Sequence, residues 1–120
     1  MLVSHMAQHD VALSDMFQAL SDPTRRRMLA RLGRGTVTVS ALAAPTGMAL
    51  PTILRHLAVL EAAGLITTVK VGRARECAVV PGALGLVQDW LGAQRAIWEA
   101  RTDRLEAFVE TLKMEQRDDV

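Results

Sequence analysis

The chain has 120 residues, with fourteen Lys/Arg against thirteen Asp/Glu, half of its residues hydrophobic and only 3% aromatic. That length fits one domain, with a core built from Leu, Val, Ala, Ile and Met, which suits helices packed on helices or on a small sheet. No run of about 18 uncharged apolar residues is present to span a membrane, and a single cysteine, Cys77, excludes an intramolecular disulfide.

Residues 1–6 lack the basic start and long apolar stretch of a secretory signal, and Ser4-His5-Met6 resembles a cloning remnant. They are set aside as a remnant or disordered start, leaving a domain expected over residues 7–115 and a frayed tail over 116–120. With no signal and one thiol, the expected location is the cytoplasm. From about residue 10 to 20, Val11, Leu13, Met16, Phe17 and Leu20 recur at helical spacing. Ser21-Asp22-Pro23 restarts the chain: Ser21 or Asp22 can cap a second helix, with Pro23 in its first turn. That helix turns Met28, Leu29 and Leu32 inward and ends at Gly33 and Gly35. A short third helix follows Thr38 or Ser40 as cap and is broken by Pro45-Thr46-Gly47. The fourth is expected from about Ala49 to Ala63, with Pro51 near its start, Gly64 past its end, and Ile53, Leu57 and Leu60 inward.

After Gly64 the pattern changes to β-branched runs, Leu65–Val71 and Cys77–Val80, joined by a turn at Gly72-Arg73-Ala74. Pro81-Gly82 then opens a long last helix over about residues 83–113. Its Leu84, Leu91, Trp98, Leu105 and Leu112 repeat every seven residues, with Phe108 in the neighbouring row. So long a helix carries more apolar surface than a small core can cover. Pairing with the same helix of a second copy, with Phe17 of the first helix contributing, would bury it.

Charge is unevenly placed. Asp22 to Arg75 holds nine Lys/Arg against two acidic residues, a balance of +7, whereas Glu76 to Val120 stands at −4 and the first 21 residues at −2. A short helix, a tight turn and a longer helix followed by a hairpin make a helix-turn-helix with a wing. Its second helix can enter a major groove about 12 Å wide. On the outer side of that helix lie Thr52, Arg55 and His56: Arg55 suits a guanine or a phosphate, and Thr52 a phosphate or a thymine methyl. His56 suits a phosphate or base, or a partly buried capping role. At the wing, Lys70, Arg73 and Arg75 suit a phosphate ridge or minor groove. Among Arg25, Arg26 and Arg27, pointing about 100° apart, Arg25 is the candidate for the DNA flank, with solvation or internal ion pairs as the other reading.

Two segments carry a family resemblance. Phe17–Leu29, reading FQALSDPTRRRML, is similar to the opening of ArsR-type winged-helix repressors, and Pro51–Ile66, reading PTILRHLAVLEAAGLI, resembles their recognition helix and its exit. The resemblance spans roughly residues 10–112. It implies a mainly α winged helix-turn-helix with a small β-hairpin, dimeric through its terminal helices. It also implies a homodimer that binds an inverted-repeat operator on double-stranded DNA and usually represses. Leu50 and Leu54 stand where the family often has Gln or Ser, so they either touch thymine methyls or pack inward. The metal-sensing motifs of the family are missing: Val39–Ala44 has no thiol or imidazole, and the last helix has Asp89 and Glu99 but no histidine. No metal or cofactor is therefore expected, and the effector is left open. Nor is an enzyme, since there is no Gly-rich phosphate loop, no tyrosine and no His/Asp/Ser grouping. The alternatives are a protein-interaction module without DNA and a redox-responsive regulator acting through Cys77.

Overall fold

The computed structural model describes residues 2–118, and the side chains of residues 7–117. In chain order the elements are α1 (Leu2–Leu20), α2 (Pro23–Leu32), β1 (Val37–Thr38), α3 (Val39–Ala43), a 3-10 turn (Ala44–Thr46), α4 (Leu50–Ala62), β2 (Ile66–Val71), β3 (Ala74–Val79) and α5 (Gly85–Asp118). The fold is a mainly α winged helix-turn-helix with a three-stranded antiparallel sheet. Two compact units divide the chain, one up to Val87 and one from Gln88 onward.

Local chemistry sets the boundaries in the first unit. Asp22 caps α2, its carboxylate accepting the Arg25 backbone N–H at 3.0 Å, and Pro23 occupies the first turn where no N–H is needed. That N–H bond is the main reason the Asp22 carboxyl titrates below the usual carboxylate range. The cap is therefore fully present above the unfolded carboxyl's pKa and is lost as pH falls through the lowered one. Of the two candidate caps for α3, Thr38 serves, its Oγ1 accepting from the Ala41 N–H at 3.1 Å. The turn between α3 and α4 is fixed by Thr46, whose hydroxyl donates to the Ala43 carbonyl at 2.6 Å and accepts from the Met48 N–H at 3.1 Å. Gly47 follows in the left-handed region, at φ 66°. At the far end of α4, Leu65 N–H reaches the Leu60 carbonyl and Gly64 N–H the Glu61 carbonyl, each at 3.0 Å. This double closure needs Gly64 at φ 78°.

The sheet runs β1-β3-β2, with Val37 opposite Cys77 and Val71 opposite Ala74. Only Gly72 and Arg73 bridge β2 and β3. Gly72 has φ 62° and Arg73 does not have a positive φ, the pattern of a hairpin turn with glycine first. The core gathers Met16 and Ala19 of α1, Met28 and Leu32 of α2, Val39 and Leu42 of α3, and Ile53, Leu57 and Leu60 of α4. Leu65, Ile66, Cys77 and Val87 complete it.

Three expectations change. The first helix, expected from about residue 10, begins at Leu2, and Met1 lies outside the described residues. The last helix, expected to end near residue 113, continues through Asp118, and residues 119–120 lie outside the described residues. The hairpin has a third strand, β1, whose two residues pair with β3.

Through Asp118 the second unit is a continuous stretch of α5. Every side chain from Gln88 to Arg117 is exposed except that of Gln94, which is half-buried. The exposed ones include the apolar Leu91, Trp98, Leu105, Phe108 and Leu112.

Candidate nucleic-acid interface

The outward side of α4 is decided by its inward side. With Ile53, Leu57 and Leu60 buried, a turn of about 100° per residue puts Arg55 almost opposite the core. Arg55 is exposed, and its side chain has no hydrogen bond or ion pair among the described residues. Leu50 and Leu54, one turn apart, do not pack inward: they are 54% and 45% exposed. Thr52 is half-buried on the flank. On the same reckoning the two leucines stand about 55° and 95° from the core stripe, so α4 exposes an unpaired guanidinium opposite the core and two bare leucines along one flank.

His56 falls about 65° from the centre of the core stripe on the same reckoning, and it is half-buried with its side chain only 17% exposed. Its Nδ1 lies 3.2 Å from an Arg25 guanidinium nitrogen and 3.9 Å from the Asp22 carboxylate. A guanidinium only donates, so Nδ1 accepts and the proton of the neutral ring sits on Nε2. Arg25 also donates from Nε to the Ala19 carbonyl at 2.7 Å and from a terminal nitrogen to the Gln18 carbonyl at 3.0 Å. Arg26 donates to the Leu20 carbonyl at 2.8 Å. These arginines satisfy the last carbonyls of α1, which carries no basic residue in its own last turn. Arg25 and His56, for which the sequence left both a DNA contact and an internal role open, tie α1, α2 and α4 together. The helical angle of His56 was the signal for this in the sequence; the Arg25 pairing, spanning 31 residues of chain, left none.

The wing divides in the same way. Lys70 and Arg73 are exposed, and neither side chain has a hydrogen bond or ion pair among the described residues. Arg75 donates to the Thr68 hydroxyl at 3.0 Å, and that hydroxyl donates to the Glu61 carboxylate at 3.1 Å. Arg75 therefore links the hairpin to the end of α4, and Glu61 and Thr68 are positioning residues that sequence reasoning missed.

Cys77 is fully buried in the central strand, between Val37 and Thr68. Burial pushes its thiol pKa up, the nearby Glu61 carboxylate adds to this, and Arg75 opposes it. A protonated, enclosed thiol is a poor nucleophile, so the structure gives no footing to a redox switch at Cys77. A thiol reagent at about pH 8, near the ordinary thiol pKa, is expected to leave the native chain unlabelled and to label one thiol after unfolding. Rapid native labelling would contradict this.

A helix-turn-helix domain family matches residues 20–69. The transcriptional repressor SdpR of Bacillus subtilis is 34% identical over 61 residues, covering 51% of this chain and 68% of that protein. A solved structure of an ArsR family transcriptional regulator is 48% identical, with TM-score 0.72, covering 75% of this chain and 93% of that one. An ArsR-like transcriptional regulator from Rhodococcus sp. RHA1 is 33% identical, with TM-score 0.70, covering 82% of this chain and 92% of that one.

Proposed function

Because the chain belongs to the ArsR family of transcriptional regulators, we propose that it is a cytoplasmic repressor that binds an inverted-repeat operator as a homodimer. The observation that carries this reading is the exposed surface of α4, where the Arg55 side chain, opposite the core, has no partner among the described residues and Leu50 and Leu54 lie bare along the flank. In a major groove, Arg55 pairs with guanine O6 and N7, while the leucines cover thymine methyls. Thr52 bonds a flanking phosphate. Lys70 and Arg73 reach the phosphates or the minor groove beside the wing. Arg25, His56 and Arg75 hold these elements in place.

Dimerisation supplies the second reading head. The exposed stripe Leu91, Trp98, Leu105 and Leu112, with Phe108 beside it, pairs with its counterpart in a second copy, and Phe17 of α1 adds apolar surface. Two recognition helices about 34 Å apart meet successive major grooves on one side of a duplex.

Selection of genomic fragments by the purified chain, followed by mobility shifts across a salt series, tests the reading. The expected result is a dyad-symmetric site containing guanine and thymine, bound more weakly as salt rises. Failure to retain any fragment, even at low salt, overturns it. Arg73→Ala is expected to weaken all sequences alike and to reduce the salt slope by about 1, as loss of one phosphate contact does. An unchanged slope would remove the wing contact.

A further inference from the structure

Arg27 is the member of the arginine run that neither caps α1 nor pairs with His56. It flanks the core stripe of α2 together with Arg31, one turn on, and Arg34 follows in the turn beyond the helix. None of the three side chains has a hydrogen bond or ion pair among the described residues. They line a groove of about 340 Å³ between α2 and the segment formed by α3 and the 3-10 turn. Met28, Leu42 and Pro45 supply its apolar surface, and no acidic residue lines it. Like charges gathered without a carboxylate leave an excess of guanidinium donors, which suit the planar oxygens of an anion. A concave apolar floor with a few polar groups is the make-up of a small-molecule site, and the volume lies at the lower end of the usual range, about 300–1,000 Å³. A phosphate ridge would need the cations but not the hollow.

We propose that this groove binds a small organic carboxylate with an apolar body, and that its occupancy alters the affinity of the chain for DNA. The guanidiniums hold the carboxylate while the ring or acyl portion lies over Met28, Leu42 and Pro45. One wall of the groove is the turn that precedes Leu50, the first residue of α4. A ligand between α2 and this turn therefore acts on the placement of the reading helix. The regulatory half of the proposal rests on the DNA-binding reading above; the ligand site does not.

The test titrates the full chain with naphthoate, neutral naphthamide and inorganic phosphate by calorimetry, and repeats it with the Arg27→Gln/Arg31→Gln chain. The expected result is one saturable naphthoate site per chain. Binding should be roughly tenfold to a hundredfold weaker for the amide and for the double variant. The exposed single variant Arg34→Gln should show a smaller loss in the same direction and guards against a folding defect in the double variant. Naphthoate should also shift operator affinity in the wild-type chain and not in the double variant. Absence of saturable binding, equal binding by both chains, or phosphate binding as tightly as naphthoate would each overturn the site. So would a fall of about 2 in the salt slope of DNA binding in the double variant, which would give the arginines to DNA phosphates. Naphthoate binding by a chain that retains no DNA keeps the site and overturns both its regulatory role and the proposed function.

Discussion

Trp98→Glu is expected to leave a folded chain that runs as a monomer and binds its operator about a hundredfold or more weakly, the scale lost when a second linked contact disappears. Trp98 is 70% exposed on α5, whereas the buried core of the first unit is made by residues up to Val87, so the substitution removes nothing from that core. A buried tryptophan covers about 150–250 Å² of surface. In a two-fold pair each substitution counts twice, and it places two carboxylates where apolar side chains should meet. Sedimentation of the variant beside wild type measures the assembly, and mobility shifts measure the binding. Trp98→Phe, which keeps an apolar ring, should stay dimeric. A Trp98→Glu chain that remains a dimer at micromolar concentration would exclude this face as the interface.

The elements that proved legible in the sequence are those bounded by residues with one dominant conformational effect. Pro51 and Gly64 placed α4 within a residue at each end, and Asp22-Pro23 placed the start of α2. The inward stripe of α4 followed from periodicity alone, and the hairpin from Gly72 between two β-branched runs. Features that depend on a distant partner were not legible. Strand β1 is too short for a period of two to register, and it exists through pairing with β3, far along the chain. The helical start of α1 was obscured because its first residues resemble a cloning remnant. In the candidate interface, composition marked every cation alike. The division into free cations (Arg55, Lys70, Arg73) and internally bonded ones (Arg25, Arg75) comes from acceptors supplied by other elements: the end of α1, His56 and Thr68.

That division makes Arg55→Ala the sharpest test of readout. Removing the side chain should cost about 1–3 kcal/mol at the preferred operator, or roughly fivefold to more than a hundredfold in affinity, if it makes a bidentate contact with guanine. The fold should be unaffected, because the Arg55 side chain is exposed and makes no hydrogen bond or ion pair among the described residues. What distinguishes base reading from phosphate binding is the pattern across sequences. A lost base contact weakens the preferred site most and flattens discrimination at one position in each half-site, while the salt slope stays near the wild-type value. A lost phosphate contact weakens all sites together and lowers the slope by about 1. Arg73→Ala provides the second pattern for comparison on the same fragments. If Arg55→Ala behaves as Arg73→Ala does, α4 lies against the backbone rather than in the groove, and Leu50 and Leu54 have no thymine methyls to cover. Replacing thymine by uracil in the selected site checks the leucines separately: each removed methyl should weaken the wild-type chain and leave Leu50→Ala/Leu54→Ala nearly indifferent. Equal weakening of both chains would assign the methyl contacts to other residues.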